Sequence, residues 1–192
     1  MAKGKLIVIS GPSGAGKTSI CNKLLELLPN ARWSVSATTR PIRNGEADGE
    51  SYQFINRDEF LRRKQNGEFL ETAEYLGELY GTPLAPIREA VEHGEHIILE
   101  IEVQGGKQVA EKMPESIRVF ILPPTMETLK ARLAGRKTES QQQQAKRLAE
   151  ADGEIGFARD NRCYDHFVTN DELDSTVQDI IQIIERARSK RA

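Results

Sequence analysis

Apolar positions along the chain follow two rhythms that alternate. Short, largely apolar runs stand at Leu6–Ser10, His96–Glu102 and Ile117–Leu122. Runs this short, with few polar interruptions, predict strands buried on both faces, as in a parallel sheet. Stretches with helical spacing separate them. Ile20, Leu24, Leu25 and Leu28 predict a helix over Lys17–Leu28, stopped by Pro29-Asn30. Pro86–His93, Gln104–Met113 and Thr125–Ala134 read as further helices. Asp165–Thr169 reads as a last strand, and Leu173, Val177, Ile180, Ile181 and Ile184 give a closing amphipathic helix over Leu173–Arg188. Strands alternating with helices predict an α/β fold, a doubly wound parallel sheet.

Two stretches break the rhythm. Trp33–Thr38 alternates as one strand, and Arg40–Ser51, with Pro41, Gly45 and Gly49 among charges, reads as a loop. From there to Gly81 the pieces are short: strands at Tyr52–Phe54 and Phe69–Tyr75 flank a helix at Asp58–Gln65. They predict an inserted small, mixed and mostly antiparallel sheet. The second break is Thr138–Ala158, long and polar, with four glutamines at 141–144 that read as a solvated helical face. A polar segment projecting from the core is a candidate lid. The expected organisation is a single domain with core at 1–33, 82–125 and 160–192, an insertion at 34–81 and a lid region at 126–159.

Composition narrows the classes of function. The 192 residues suit one domain, 38% hydrophobic content suits one core, and a formal net charge of −2 supplies no basic field for nucleic acid. Cys21 and Cys163 are far apart, and His93, His96 and His166 have no ligand spacing. Cys21 falls on the apolar face of the first helix and reads as a buried structural thiol. No apolar run approaches the roughly 20 residues that span a bilayer, and no secretory pattern follows Met1. The expected location is the cytoplasm, with no membrane or nucleic-acid partner.

The chemistry begins at the turn after the first strand. Gly11-Pro12-Ser13-Gly14-Ala15-Gly16-Lys17-Thr18 matches G-x-x-x-x-G-K-[ST] without a mismatch. Glycines let backbone N–H groups turn inward around phosphate oxygens where a side chain would block approach. Lys17 is placed to reach the β- and γ-phosphates, and Thr18 offers a hydroxyl to Mg²⁺. The helix starting there turns its positive dipole end toward the same anion. The motif indicates an NTP, with ATP as the expected donor, and is silent about the acceptor. Ser34-Val-Ser36-Ala-Thr-Thr-Arg40-Pro-Ile-Arg43 sets two arginines beside hydroxyls. Two guanidinium forks suit a dianionic phosphate, although solvated loop arginines fit equally well on these residues alone.

In this order, GPSGAGKTS, SVSATTRPIRNGE, Tyr52, ETAEYLGELYGTP and LEIEVQG resemble guanylate kinase, and the likeness continues through RLAGRKTE and VTNDELD. The resemblance implies transfer of phosphate from ATP to GMP or dGMP with Mg²⁺. It implies a GMP-phosphate clamp of Arg40, Arg43, Tyr52 and Tyr80, and a guanine site of Ser36, Glu71, Thr82 and Glu102. It makes Arg132, Arg136 and Arg147 the catalytic arginines of a lid, joining Lys17 and Arg40 at the moving phosphate, and places Asn170 near the adenine of ATP. The guanine assignment has its own logic. Guanine presents N1–H and N2–H₂ donors to a carboxylate, whereas adenine presents a lone pair at N1, and a site left with an unpaired polar group rejects strongly. Lid arginines likewise suit phosphoryl transfer, which needs positioning, charge stabilisation and exclusion of water.

The chain departs from the family pattern in places, among them Glu139-Ser140-Gln141-Gln142 where the lid usually has a more acidic run. Glu102 stands where the family usually has Asp, moving its carboxylate by one methylene, and Lys137 replaces a usual glycine in the lid. Two other readings compete. A P-loop kinase of another phosphorylated small molecule, of the ribose bisphosphate kinase type, has no use for the Glu71, Tyr80 and Thr82 set. A non-catalytic guanylate-kinase-like binding module has no use for Lys17 and Thr18.

Overall fold

The computed structural model describes residues 3–134 and 141–189. Its main sheet has five parallel strands: β1 (Leu6–Ser10), β2 (Ala31–Trp33), β7 (His96–Glu100), β8 (Ile117–Leu122) and β9 (His166–Thr169), in the order β2-β7-β1-β8-β9. All five residues of β1 are buried, so alternate side chains serve opposite faces. On one face Ile7 and Ile9 pack with Ile20, Cys21 and Leu24 of α1 (Lys17–Leu27) and with Val177, Ile180 and Ile184 of α7 (Leu173–Ser189). On the other, Leu6 and Val8 pack with Ile87 and Ala90 of α3 (Leu84–Glu92) and with Val109 of α4 (Val103–Lys112). This is the doubly wound sheet that the apolar runs predict. Cys21 and Cys163 are buried free thiols, and burial pushes Cys21 far above the usual thiol range.

The stretch expected as one strand, Trp33–Thr38, is divided. Ala31–Trp33 joins the main sheet, whereas Ala37–Thr38 forms β3 of a second sheet with β4 (Gln53–Phe54), β5 (Phe69–Tyr75) and β6 (Glu78–Pro83), ordered β4-β3-β6-β5. Ser34 N still donates to Ile98 O at 2.9 Å, and then the chain leaves for the new sheet. Local alternation cannot register such a change of partner, because both halves are extended. β6 does not read as a strand from the sequence, yet it is an interior one, antiparallel to both β3 and β5. Its Gly81 and Pro83 depress strand propensity, but pairing on both sides outweighs that. Phe60 of α2 (Arg57–Gln65) stacks on Phe69 at 4.6 Å between ring centroids and, with Ala37 and Leu79, closes this small core.

Two joints tie the layers to the remaining helices. Gln108 of α4 exchanges hydrogen bonds with the backbone of Thr72, and Lys112 donates to Phe69 O at 2.8 Å, so α4 fixes β5 against the main sheet. α6 (Gln141–Asp160), expected over Thr138–Ala158, packs Ala151 against Leu129 and Leu133 of α5 (Met126–Ala134) and Ala158 against Phe120. Arg136 and Lys137 lie outside the described residues. Among the described residues no helix is long and apolar enough to cross a membrane.

Candidate active site

β1 ends at Ser10, and the phosphate loop fills the gap between it and α1. Gly16 caps α1 with φ 94°, a left-handed conformation natural to glycine, and a Cβ there would overlap the side-chain amide nitrogen of Asn170. Asn170 is buried behind the loop: its Nδ2 donates to Ala15 O at 2.7 Å, and its Oδ1 accepts from Thr176 Oγ1 at 3.2 Å. Both ends of that amide are therefore engaged in supporting the loop. Lys17 Nζ lies across the loop's mouth, donating to Gly11 O at 2.7 Å and Pro12 O at 3.2 Å. From α6, Arg147 Nη1 donates to Ser13 Oγ at 3.2 Å, which brings a helix distant in sequence onto the loop. Arg132 turns its guanidinium to Asn170 O at 3.0 Å, beside the loop's support.

Sequence reasoning passed over Glu100. It ends β7, pairs with Ile9 of β1 and accepts from Thr18 Oγ1 at 3.1 Å. A hydroxyl and a carboxylate at this spacing form an oxygen-only donor pair, the kind Mg²⁺ uses when phosphates and water complete its octahedron. Among the described residues no cluster of three or more histidines, cysteines or carboxylates could enclose a metal by itself. The order β7-β1 puts Glu100 there, and a carboxylate at the C-terminal end of the strand beside the phosphate loop is what could have flagged it.

The loop opens on a cavity of about 660 Å³ lined by Lys17, Thr18, Ser36, Tyr52, Glu100 and Glu102, among others. A second cavity of about 430 Å³, reaching Glu71 and Tyr80, shares Ser36, Tyr52, Glu100 and Glu102 with it. The two are adjoining halves of one cleft. In the second half Thr82 Oγ1 donates to Glu71 Oε1 at 2.6 Å, and Ser36 Oγ lies 3.2 Å from Thr82 Oγ1. Because Thr82 gives its one proton to Glu71, Ser36 must donate to Thr82, making a directed relay that ends on the carboxylate. Glu71 is 5% exposed, and burial pushes its carboxyl above the ordinary range against the pull of Thr82 and Lys112. Glu102 caps α4 and faces the same half from the exposed side.

At the rim, Arg40 is buried, its guanidinium 5.0 Å from the Tyr52 ring centroid and 5.4 Å from that of Phe54. Tyr52 and Tyr80 meet edge to face at 6.1 Å. Arg43 is exposed on the adjoining loop. Thus β3, β4 and β6 bring Arg40, Tyr52 and Tyr80 together from three sequence-distant places. Glu154, also not singled out from sequence, enters the cleft from α6.

A phosphate loop at the carboxyl end of a parallel sheet, opening beside a second polar pocket, defines the class as a P-loop phosphotransferase. The family model "Guanylate kinase" matches residues 3–187. Guanylate kinase of Symbiobacterium thermophilum is 47% identical over 98% of this chain and 89% of its own, and that of Clostridioides difficile is 45% identical over 98% and 90%. The crystal structure of guanylate kinase from Anaplasma phagocytophilum superposes with a TM-score of 0.73 at 34% identity, covering 97% of this chain and 87% of that one. The chain belongs to the guanylate kinase family.

Proposed function

We propose that the protein transfers the γ-phosphoryl of ATP to GMP or dGMP, releasing ADP and GDP or dGDP. The observation that carries this reading is the shared cleft: Lys17 and Thr18 line one half, Ser36 and Glu71, linked through the buried Thr82, line the other, and Glu100 and Glu102 lie between. Acceptor and donor phosphates entering from opposite sides would meet in line over the loop.

In the ATP half, the backbone N–H groups of Gly11–Thr18 cradle the β- and γ-phosphates, and Lys17 exchanges its carbonyl partners for phosphate oxygens. Thr18 and Glu100 would hold Mg²⁺, which would supply positive charge to offset that of the ATP phosphates. In the GMP half, Glu71 and Glu102 accept from the guanine N1–H and N2–H₂, with Thr82 and Ser36 fixing the Glu71 carboxylate. Arg40, Arg43, Tyr52 and Tyr80 grip the acceptor phosphate. The insertion at 34–81 is thus the GMP-binding part. Arg147, already in contact with Ser13, and Arg132 stabilise charge on the moving group and, with residues 126–159, shield it from water. The engaged amide of Asn170 supports the phosphate loop from behind, a role compatible with a place near the adenine.

A coupled assay of ADP formation across GMP, dGMP, AMP, CMP and UMP tests the reading. GMP and dGMP are expected to be phosphorylated at least about a hundredfold better than AMP, since AMP leaves buried polar groups unpaired. Comparable rates on AMP would remove the guanine assignment while leaving an ATP-dependent kinase.

A further inference from the structure

Glu46 is tied to both arginines of the rim. Its Oε2 accepts from Arg40 Nη1 at 2.7 Å and from the backbone N–H of Arg43 at 2.9 Å, and its Oε1 accepts from Arg40 Nη2 at 2.5 Å. Arg40 Nη1 gives its second hydrogen to Pro41 O at 2.9 Å. A guanidinium has five N–H groups in a planar fork. Three are therefore committed: one each of Nη1 and Nη2 on the end-on edge, to Glu46, and the second of Nη1, to Pro41. The remaining two, Nε–H and the outer Nη2–H, share the side-on edge, which is a complete bidentate face for a phosphate. Tyr80 also bears on this guanidinium, while Tyr52 and Phe54 cover it at 5.0 and 5.4 Å.

We propose that Glu46 is a positioning residue: by occupying one edge of Arg40 and bonding the Arg43 amide, it presents the other edge of Arg40 to the acceptor phosphate. The carboxylate is suited to a standing role. The Arg40 hydrogen bonds, followed by that from Arg43, hold its carboxyl down to about 2, so it stays ionised at any pH at which the enzyme works. The same pairing holds the proton on Arg40 more tightly than usual. A buried arginine with neither partner would be free to adopt other rotamers and would lose the entropy of ordering when phosphate binds. Glu46 removes that cost in advance. The opposite role is conceivable on charge alone, with Glu46 competing with phosphate for Arg40, but the two-edge geometry lets both bind at once.

The inference rests on the reading of Arg40 as part of the acceptor clamp, and a double-mutant cycle separates the two. Wild type, Glu46→Gln, Arg40→Ala and the double variant are titrated with GMP and with guanosine by calorimetry, and KM is measured for GMP and ATP; circular dichroism checks that each is folded. Glu46→Gln keeps shape and loses charge. It is expected to weaken GMP about tenfold, leave guanosine and the KM for ATP within about twofold, and add less than about twofold to Arg40→Ala. Unchanged or tighter GMP binding in Glu46→Gln, equal weakening of guanosine, or a full additional loss on top of Arg40→Ala overturns the positioning role alone. If Arg40→Ala leaves GMP affinity intact, the clamp reading itself falls and this inference with it.

Discussion

Glu154→Gln probes how the cleft handles its concentration of negative charge. Glu154 leaves α6 to face a cavity that also holds Glu100 and Glu102. Burial pushes its carboxyl from the ordinary 4.5 to about 7; Lys17 opposes the rise, and Glu102 and Glu150 add to it. Between those two values the folded protein retains a proton that the unfolded chain has released. The ionised carboxyl therefore costs stability. That cost is fully present above about pH 7, shrinks as pH falls toward 4.5 and is absent below it. At about 1.4 kcal/mol per pH unit the gap amounts to about 3 kcal/mol, and partial exposure to solvent reduces the expected cost to about 1–2 kcal/mol. Glutamine keeps the shape and never ionises. For a chain of this size the variant should melt about 3–6 °C higher than wild type at pH 8. The advantage should fall by more than half at pH 5, where wild-type Glu154 is protonated in the fold. Thermal unfolding followed by circular dichroism at both pH values measures it. Equal melting temperatures at pH 8, or an advantage that persists undiminished at pH 5, would refute the account of Glu154.

Two further outcomes are expected. Lys17→Ala should lower kcat at least about a hundredfold, since it removes a fixed cation from the developing charge, while far-ultraviolet dichroism stays unchanged; near-normal turnover would show the lysine does something else. Gly106→Ala should cost about 1–3 kcal/mol in urea unfolding, because the added Cβ would overlap the buried Tyr164 hydroxyl, which donates to Val103 O at 3.1 Å; an unmoved midpoint would mean that Tyr164 can shift freely.

Much of the architecture was legible because its causes are local. The runs at β1, β7 and β8 are largely apolar since helices cover both of their faces, and the phosphate loop is written as contiguous residues because one turn of backbone makes it. β2, β3 and β6 were less legible. Trp33 and Ala37 are four residues apart in one extended stretch yet belong to different sheets, and no side-chain pattern marks the change of neighbour. β6 reads poorly because Gly81 and Pro83 belie a strand that two partners hold in place.

For the site, the contiguous residues Gly11–Thr18 sufficed to indicate a polyphosphate, and a resemblance spread over nearly the whole chain sufficed to indicate the family. Tertiary structure alone decided which side chains meet. Glu100 acquires Thr18 as a partner only because β7 lies next to β1. Arg147 reaches Ser13 only because Ala151 anchors α6 on α5. Glu46 is one charge among many in a loop until folding closes it on Arg40. Spacing along the chain encodes what one turn or one helix can bring together. Contacts between elements depend on strand order and helix packing, which are set by burial across the entire core and leave no local mark.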